Sequence, residues 1–302
     1  MGGTSEMDLN AYQQQANRTD QRPGKDEAAL VFPLIGLASE VGSLVNQFKK
    51  RVRDGEAHAL FSERVAEELG DVLWYVANLT TKLGLDLEDI ADLNLRRIAE
   101  RWPAEGDENP SRLLDEDFAP SEQLPRQSSV TFIQVEEDGH KRIRLVSDEQ
   151  KLGDPLWDMS WEEDDFRFHD AIHLTFAAML GWSPIARWYF GRQRYSNPNL
   201  REVEDSGRAK VIEEAVAAIV FEYARQERFL EGVEHLDFSL LQTVRNVTSP
   251  FEVRIRTAHD WERAILRSFA MWRALRANEG GTLHLDLPAR QIEFSAPKTD
   301  SA

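Results

Sequence analysis

Two pairs of oxygen-bearing side chains stand about one helix apart in the first quarter of this 302-residue chain: Glu40 with Ser43, and Glu68 with Asp71. Residues at i and i+3 of a helix lie one above the other, so each pair presents its oxygens on one face. Carboxylates that close, and partly buried, repel one another unless a cation lies between them. Hard oxygen ligands with room for water suit Mg²⁺, with Mn²⁺ as the alternative ion. The competing reading is that these are solvated positions on amphipathic helices, and because ExxD is a common string, spacing alone leaves both open. A second constellation lies further along. His169 and His173 are four residues apart, a spacing that can chelate a transition metal; no third ligand is fixed by sequence, though Glu213 and Glu214 are candidates, and Asp170 belongs to the same candidate site. An isolated pair of this kind also serves structural, hydrogen-bonded roles. Arg192, Arg194 and Ser196, with Arg187 and Arg208 nearby, could form an anion pocket or pair with Glu202, Glu204 and Asp205.

The elements that must position the first constellation are readable from apolar periodicity. Leu34, Leu37, Val41, Leu44 and Phe48 form one helical stripe; Val65, Leu69, Val72, Val76 and Leu79 form another. A polar loop around Asp54-Gly55-Glu56 joins the two segments. Glu40, Ser43 and Gln47 form an offset polar row on the first helix, and Glu68, Asp71 and Tyr75 form one on the second, each at the rim of a core face. Pro33 is expected to open the first helix and Gly84 to close the second, with Asp86 beginning a third. A short helix over 8–20 precedes them, with Leu9, Tyr12 and Ala16 inward. Lys49, Lys50, Arg51 and Arg53 gather at the C-terminal end of the first helix, where the dipole favours cations. Either that is their whole role, or one or two of them meet an anion; Lys50 is favoured because it continues the polar row. In the third helix Leu87, Ala91, Asn94, Ile98 and Arg101 share a face, so Asn94 needs hydrogen-bond partners there.

Taken in order, four pieces resemble the MazG-like all-α NTP pyrophosphohydrolase family: DLNAYQQQANRT, GLASEVGSL, EELGDVLWYVANL and DIADLNLRRIAERWP. The family signature is ExxE, a spacer, then ExxD; here its halves are Glu40-Val41-Gly42-Ser43 and Glu68-Leu69-Gly70-Asp71. The departure is Ser43, which stands where the family has a second glutamate and contributes no charge. The resemblance implies cleavage of nucleoside triphosphates to the monophosphate and pyrophosphate. It also implies Mg²⁺ held by Glu40, Ser43, Glu68 and Asp71, with Glu67 or Glu40 orienting the water. Lys50, Arg53, Asn94 and Arg97 are then the phosphate-side residues and Tyr75 the aromatic near the nucleotide. The family usually forms dimers or tetramers, so a homodimer or homotetramer is expected. The alternative is a catalytically weakened nucleotide sensor or interaction module in a bacterial stress or phage-conflict system.

Composition bounds these readings. The formal charge of −17 argues against a general nucleic-acid or anionic-membrane surface, and any polyphosphate site must be locally basic or metal-filled. The absence of cysteine excludes disulfide and thiolate chemistry. No N-terminal apolar region and no run of transmembrane length is apparent, so a cytoplasmic protein without membrane association is expected. The expected fold is mainly α: an all-α helical bundle over 1–104, a Pro/Glu/Asp/Ser-rich linker over 105–127, and a mostly helical domain over 128–302 with small β-hairpins. The first hairpin is signalled by Asp138-Gly139 between β-rich runs, the last by TLHLDL and RQIEFS. A helix over 259–276 is expected to bury Trp261, Ile265, Phe269, Trp272 and Leu275. This second domain resembles the C-terminal domain appended to some MazG-type proteins, which implies an architecture and no particular chemistry.

Overall fold

The computed structural model describes residues 7–102, 112–137, 139–158 and 160–297, in two units, Met1–Ala99 and Glu100–Ala302. In the first unit, α1 (Leu9–Asn17) is capped by Asp8, and α2 (Glu27–Asp54) by Asp26, whose carboxylate accepts from Ala29 N at 2.8 Å. Helix α2 thus begins six residues before Pro33, correcting the expected start. Proline lacks only its own N–H, so one lost bond to the Ala29 carbonyl is tolerated once Asp26 has secured the first turn. Gly55, at φ 58°, ends α2, and a single 3₁₀ turn leads into α3 (Phe61–Leu83). Gly84 closes α3 in the left-handed conformation at φ 68°. The Asp86 carboxylate then caps α4 (Leu87–Arg101) by accepting from the backbone of Glu88 and Asp89.

Helices α2 and α3 run antiparallel: Phe48 meets Phe61, Gln47 meets Glu68, and Gly36 meets Tyr75. The buried core of this unit is small, formed by Ala16, Ala77 and Leu87 with Leu9, Tyr12, Trp74 and Val76 around them. The apolar stripes are not buried as expected. Leu34 is 52% exposed, Val41 44%, Phe48 52% and Leu69 50%, while Val45 and Val52 beside them are also open. Among the described residues of this unit no further layer covers that face. The same composition corrects the expectation that no run reaches transmembrane length: Glu27–Ala57 is long and apolar enough to cross a membrane by length and composition, with a mean hydropathy of 1.8 over its most apolar window. The loop between α1 and α2 is tied down by Lys82, whose buried ammonium donates to Asp20 at 2.6 Å and to the Arg22 carbonyl at 2.7 Å.

The second unit is built on one five-stranded antiparallel sheet, ordered β3-β2-β1-β4-β5. Its strands are β1 (Gln127–Glu137), β2 (His140–Ser147), β3 (Gln150–Leu156), β4 (Gly281–Asp286) and β5 (Gln291–Ser295). The hairpins expected at the two ends of the domain therefore belong to a single sheet, joined where β1 pairs with β4, Val130 opposite Leu283. Glu137 opposite His140 sets the first hairpin; Asp138 lies outside the described residues. Val130, Phe132, Ile143, Leu145, Leu283, Leu285 and Ile292 alternate onto one buried face. Against it lie α5 (Asp170–Leu180) and α10 (Ala258–Ala277), with Phe176 and Trp261 edge to face at 5.2 Å. The five residues expected to be buried on α10 are all at 0% exposure. Short helices α6 (Pro184–Tyr189) and α7 (Pro198–Leu200) lead through a π turn to α8 (Gly207–Gln226), and α9 (Phe238–Thr248) follows.

The segment expected to be linker is only partly so. Residues 105–111 lie outside the described residues, but 112–126 pack into the second unit, burying Leu113, Asp115, Glu122 and Leu124. Its polar composition hid this because the acids are partners of buried arginines. Asp115 pairs with Arg187 at 2.8 Å and with Arg126 at 2.7 Å.

Candidate functional site

The antiparallel register of α2 and α3 brings Glu40 beside Glu68 and Asp71. One carboxylate oxygen from each lies within 4.8 Å of the other two; Glu40 and Glu68 are half-buried and Asp71 is exposed. Two ligands on one Mg²⁺ are at most about 4.2 Å apart, so a small side-chain rotation would close the cluster on one ion. Glu68 is held in place by Gln47, whose amide donates to Oε1 at 2.9 Å. Gln47 is buried, and its own carbonyl oxygen has no partner among the described residues. Tyr12 approaches from α1: burial, and then the nearby Asp71 charge, raise its hydroxyl above the ordinary tyrosine range. The sequence placed Gln47 in the polar row and Tyr12 inward, but assigned neither to the acidic cluster. Gln47 could have been found, since it continues the row Glu40, Ser43; Tyr12 could not, because only the tertiary fold brings α1 to this face. Tyr75 packs its ring on Gly36 so closely that a Cβ there would lie 2.2 Å from a ring carbon.

The other expected residues of this site are distributed less tightly. Ser43 and Lys50 are half-buried on α2. Glu67 is turned away, paired with Arg64 at 2.8 Å on the solvent side of α3, because it lies about 100° around the helix from Glu68. Arg53 forks onto its own neighbour Asp54, and this contact lowers the Asp54 pKa. Asn94 and Arg97 are exposed on α4, so Asn94 does not sit in a buried apolar row; only Leu87 of that row is buried.

In the second unit Arg187 and Arg194 form buried pairs, Arg192 is half-buried and Arg208 is exposed, so the arginines do not line one open anion pocket. Arg194 is fully buried against Asp205 at 2.7 Å and Glu252 at 2.8 Å, and these partners outweigh burial to raise its pKa. The Arg192 guanidinium donates to the Ser121 carbonyl at 3.2 Å, and Ser196 N donates to Glu122 at 2.7 Å. A buried guanidinium must be neutralised, which is why Arg187 and Arg194 each found an acid. Glu204 shares this interior: burial, then the Glu252 charge, raise its pKa to about 7.

The two histidines do come together with acids. His169, at the N-terminus of α5, has Nε2 at 3.8 Å from both Asp170 Oδ1 and Glu214 Oε2. His173, one turn on and fully buried, has Nδ1 at 3.0 Å from Glu213 Oε1 and Nε2 at 3.4 Å from Glu214 Oε2. Burial alone would depress the His173 imidazole, but Glu213 and then Glu214 hold its pKa well above the usual value.

Comparison with known proteins agrees with this division. Residues 34–105 match the MazG nucleotide pyrophosphohydrolase domain and residues 109–298 the MazG C-terminal domain. Gene 37 protein of Mycobacterium phage L5 is 33% identical over 101 residues, covering 32% of this chain and 89% of the phage protein. No solved structure matches. With the C-terminal match alone spanning well over half of its length, this chain belongs to the MazG family, carrying a nucleotide pyrophosphohydrolase domain followed by a MazG C-terminal domain.

Proposed function

We propose that the first unit is a Mg²⁺-dependent nucleoside triphosphate pyrophosphohydrolase, releasing a nucleoside monophosphate and pyrophosphate. The observation that carries this reading is the convergence of Glu40, Glu68 and Asp71 from two antiparallel helices. Three acids without a cationic partner among the described residues, in a chain of charge −17, would repel a triphosphate, so nucleotide binding at this cluster requires a cation. Bound there, Mg²⁺ would supply charge neutralisation for the triphosphate and a more acidic water. Glu68 and Asp71 hold the ion, with Gln47 fixing the orientation of Glu68. Glu40 orients the attacking water, since Glu67 is paired elsewhere. Water attacks the α-phosphorus and gives up a proton to Glu40, the bond to the α–β bridging oxygen breaks, and pyrophosphate leaves with that oxygen. Lys50, at the end of the same polar row, neutralises the leaving group. A second copy, covering the exposed face of α2 and α3, completes the bundle, and the protein acts in the cytoplasm.

The test is pyrophosphate release from each NTP and dNTP with Mg²⁺ or Mn²⁺. Wild-type protein is expected to turn over, and Glu68→Gln and Asp71→Asn to lose at least about 100-fold in kcat, with unchanged helical circular dichroism. Full activity in both variants would refute the assignment. No turnover by wild type, despite tight metal-dependent nucleotide binding, would favour a nucleotide sensor, the reading that the uncharged Ser43 supports.

A further inference from the structure

The cluster on α5 and α8 of the second unit has the features of a ligand set and lies outside the proposed nucleotide site. His169 Nδ1 donates to the Phe166 carbonyl at 2.9 Å, which fixes the tautomer and leaves the Nε2 lone pair free. That lone pair faces Asp170 Oδ1 and Glu214 Oε2. His173 Nε2 faces the same Glu214 oxygen. Yet His173, at 0% exposure, meets Glu213 Oε1 at 3.0 Å and Glu214 Oε2 at 3.4 Å with an alignment that makes no hydrogen bond on either ring nitrogen, and Glu213 Oε1 makes none either among the described residues. Buried polar atoms left unpaired cost about 1–3 kcal/mol each, so this geometry is poor for a protein-only cluster and good for one that holds something.

We propose that His169, Asp170, His173 and Glu214 bind one divalent transition-metal ion of the zinc class. A tetrahedral ion with bonds of about 2.1 Å spaces its ligands about 3.4 Å apart. His169, Asp170 and His173 each offer an atom within 4.8 Å of the other two, and Glu214 Oε2 lies 3.8 and 3.4 Å from the two imidazoles, so closing all four on one ion needs side-chain adjustment toward that figure. Two imidazoles favour zinc-like ions over Mg²⁺. The groups behind the ligands fit as well. Asp170 Oδ2 accepts from Tyr189 at 2.7 Å, and Glu213, behind His173, is itself held by Ile185 N at 2.9 Å. Such supports fix ligand orientation at metal centres. Glu214 is 49% exposed at the side chain while the other ligands are buried, so an ion enters, and a further ligand can bind, on the Glu214 side.

The experiment measures metal content and does not depend on turnover. Full-length protein is stripped with chelator, loaded with Zn²⁺ in the presence of excess Mg²⁺ to occupy the carboxylate cluster, desalted and assayed by atomic emission; Co²⁺ loading is followed by visible absorption. One equivalent is expected for wild type and for Asp71→Asn. His173→Ala is expected to retain none, and Glu214→Gln, a rim change that leaves the core packed, to bind 10–100-fold more weakly. Retention of Zn²⁺ by Asp71→Asn separates this site from the nucleotide site, whatever the fate of the pyrophosphohydrolase assignment. The proposal is overturned if wild type retains no ion, or if His173→Ala and Glu214→Gln retain as much as wild type. It is also overturned if proton NMR of the Zn²⁺-treated protein shows a His173 imidazolium pinned between Glu213 and Glu214.

Discussion

Single side chains in this protein act through the partner that holds them. Gln47 is the clearest case, since its amide is the one hydrogen bond that orients Glu68 among the described residues. Replacing it with leucine removes that donor and also the unpartnered buried carbonyl oxygen, so the two stability effects oppose each other. Gln47→Leu is therefore expected to change unfolding free energy by no more than about 1 kcal/mol. Mg²⁺ affinity should fall by about 10–100-fold, measured by calorimetric titration. Glu204 carries a different consequence. Its folded pKa, about 7, lies above the ordinary carboxylate value of 4.5, so the folded state holds a proton that the unfolded state releases. Its contribution is therefore fully present below about pH 4.5 and lost as pH rises through 7, by up to about 3 kcal/mol. Melting temperature should fall across that window, and Glu204→Gln should flatten the slope. An equal slope in the variant would contradict the assignment.

At the level of elements, the first unit depends on how its loops are fastened as much as on helix packing. Lys82 reaches from the end of α3 to Asp20 and the Arg22 carbonyl, with side-chain exposures of 3% and 9% for the pair. Lys82→Met would strand the Asp20 charge and is expected to cost about 3–5 kcal/mol in denaturant unfolding. Adding Asp20→Asn should restore most of it; if it does not, the pair is not what fastens the loop. Much at this scale was legible in advance. The two principal helices, their intervening loop, Gly84 as the stop and Asp86 as the next cap follow from periodicity and capping chemistry. The start of α2 was not, because a proline signals a first turn more strongly than the aspartate that truly caps this helix. Nor was the structure of residues 112–126, whose acids read as solvated until the buried arginines they serve are known.

For the whole molecule, the exposed face of α2 and α3 is the dominant feature of the first unit. Val45 is 62% exposed and Val52 87%, beside the half-exposed Leu34, Val41 and Phe48. Monomeric surfaces rarely leave so much apolar area contiguous. Fully burying one exposed side chain of this kind is worth about 1.5–3 kcal/mol and these are partly covered already, so several must be buried together to offset the cost of association. Light scattering should therefore report a dimer or larger assembly, and Val45→Glu should shift it toward monomer and lower pyrophosphohydrolase activity with it. A monodisperse wild-type monomer would remove the oligomer from the proposal.

What the sequence determined by itself is whatever depends on neighbours within a few turns: helix periods, caps, turn glycines and the acidic pairs of the first unit, whose order also carries the family resemblance. Long-range placement decided the rest. Only the folded chain turns Glu67 outward while Glu40, Glu68 and Asp71 converge, joins the two terminal hairpins into one sheet, and leaves the apolar stripes uncovered. Only it brings Glu213 and Glu214 from α8 onto His169 and His173 of α5. Spacing along a helix is a local property, whereas which faces meet depends on crossing geometry and burial summed over the whole chain.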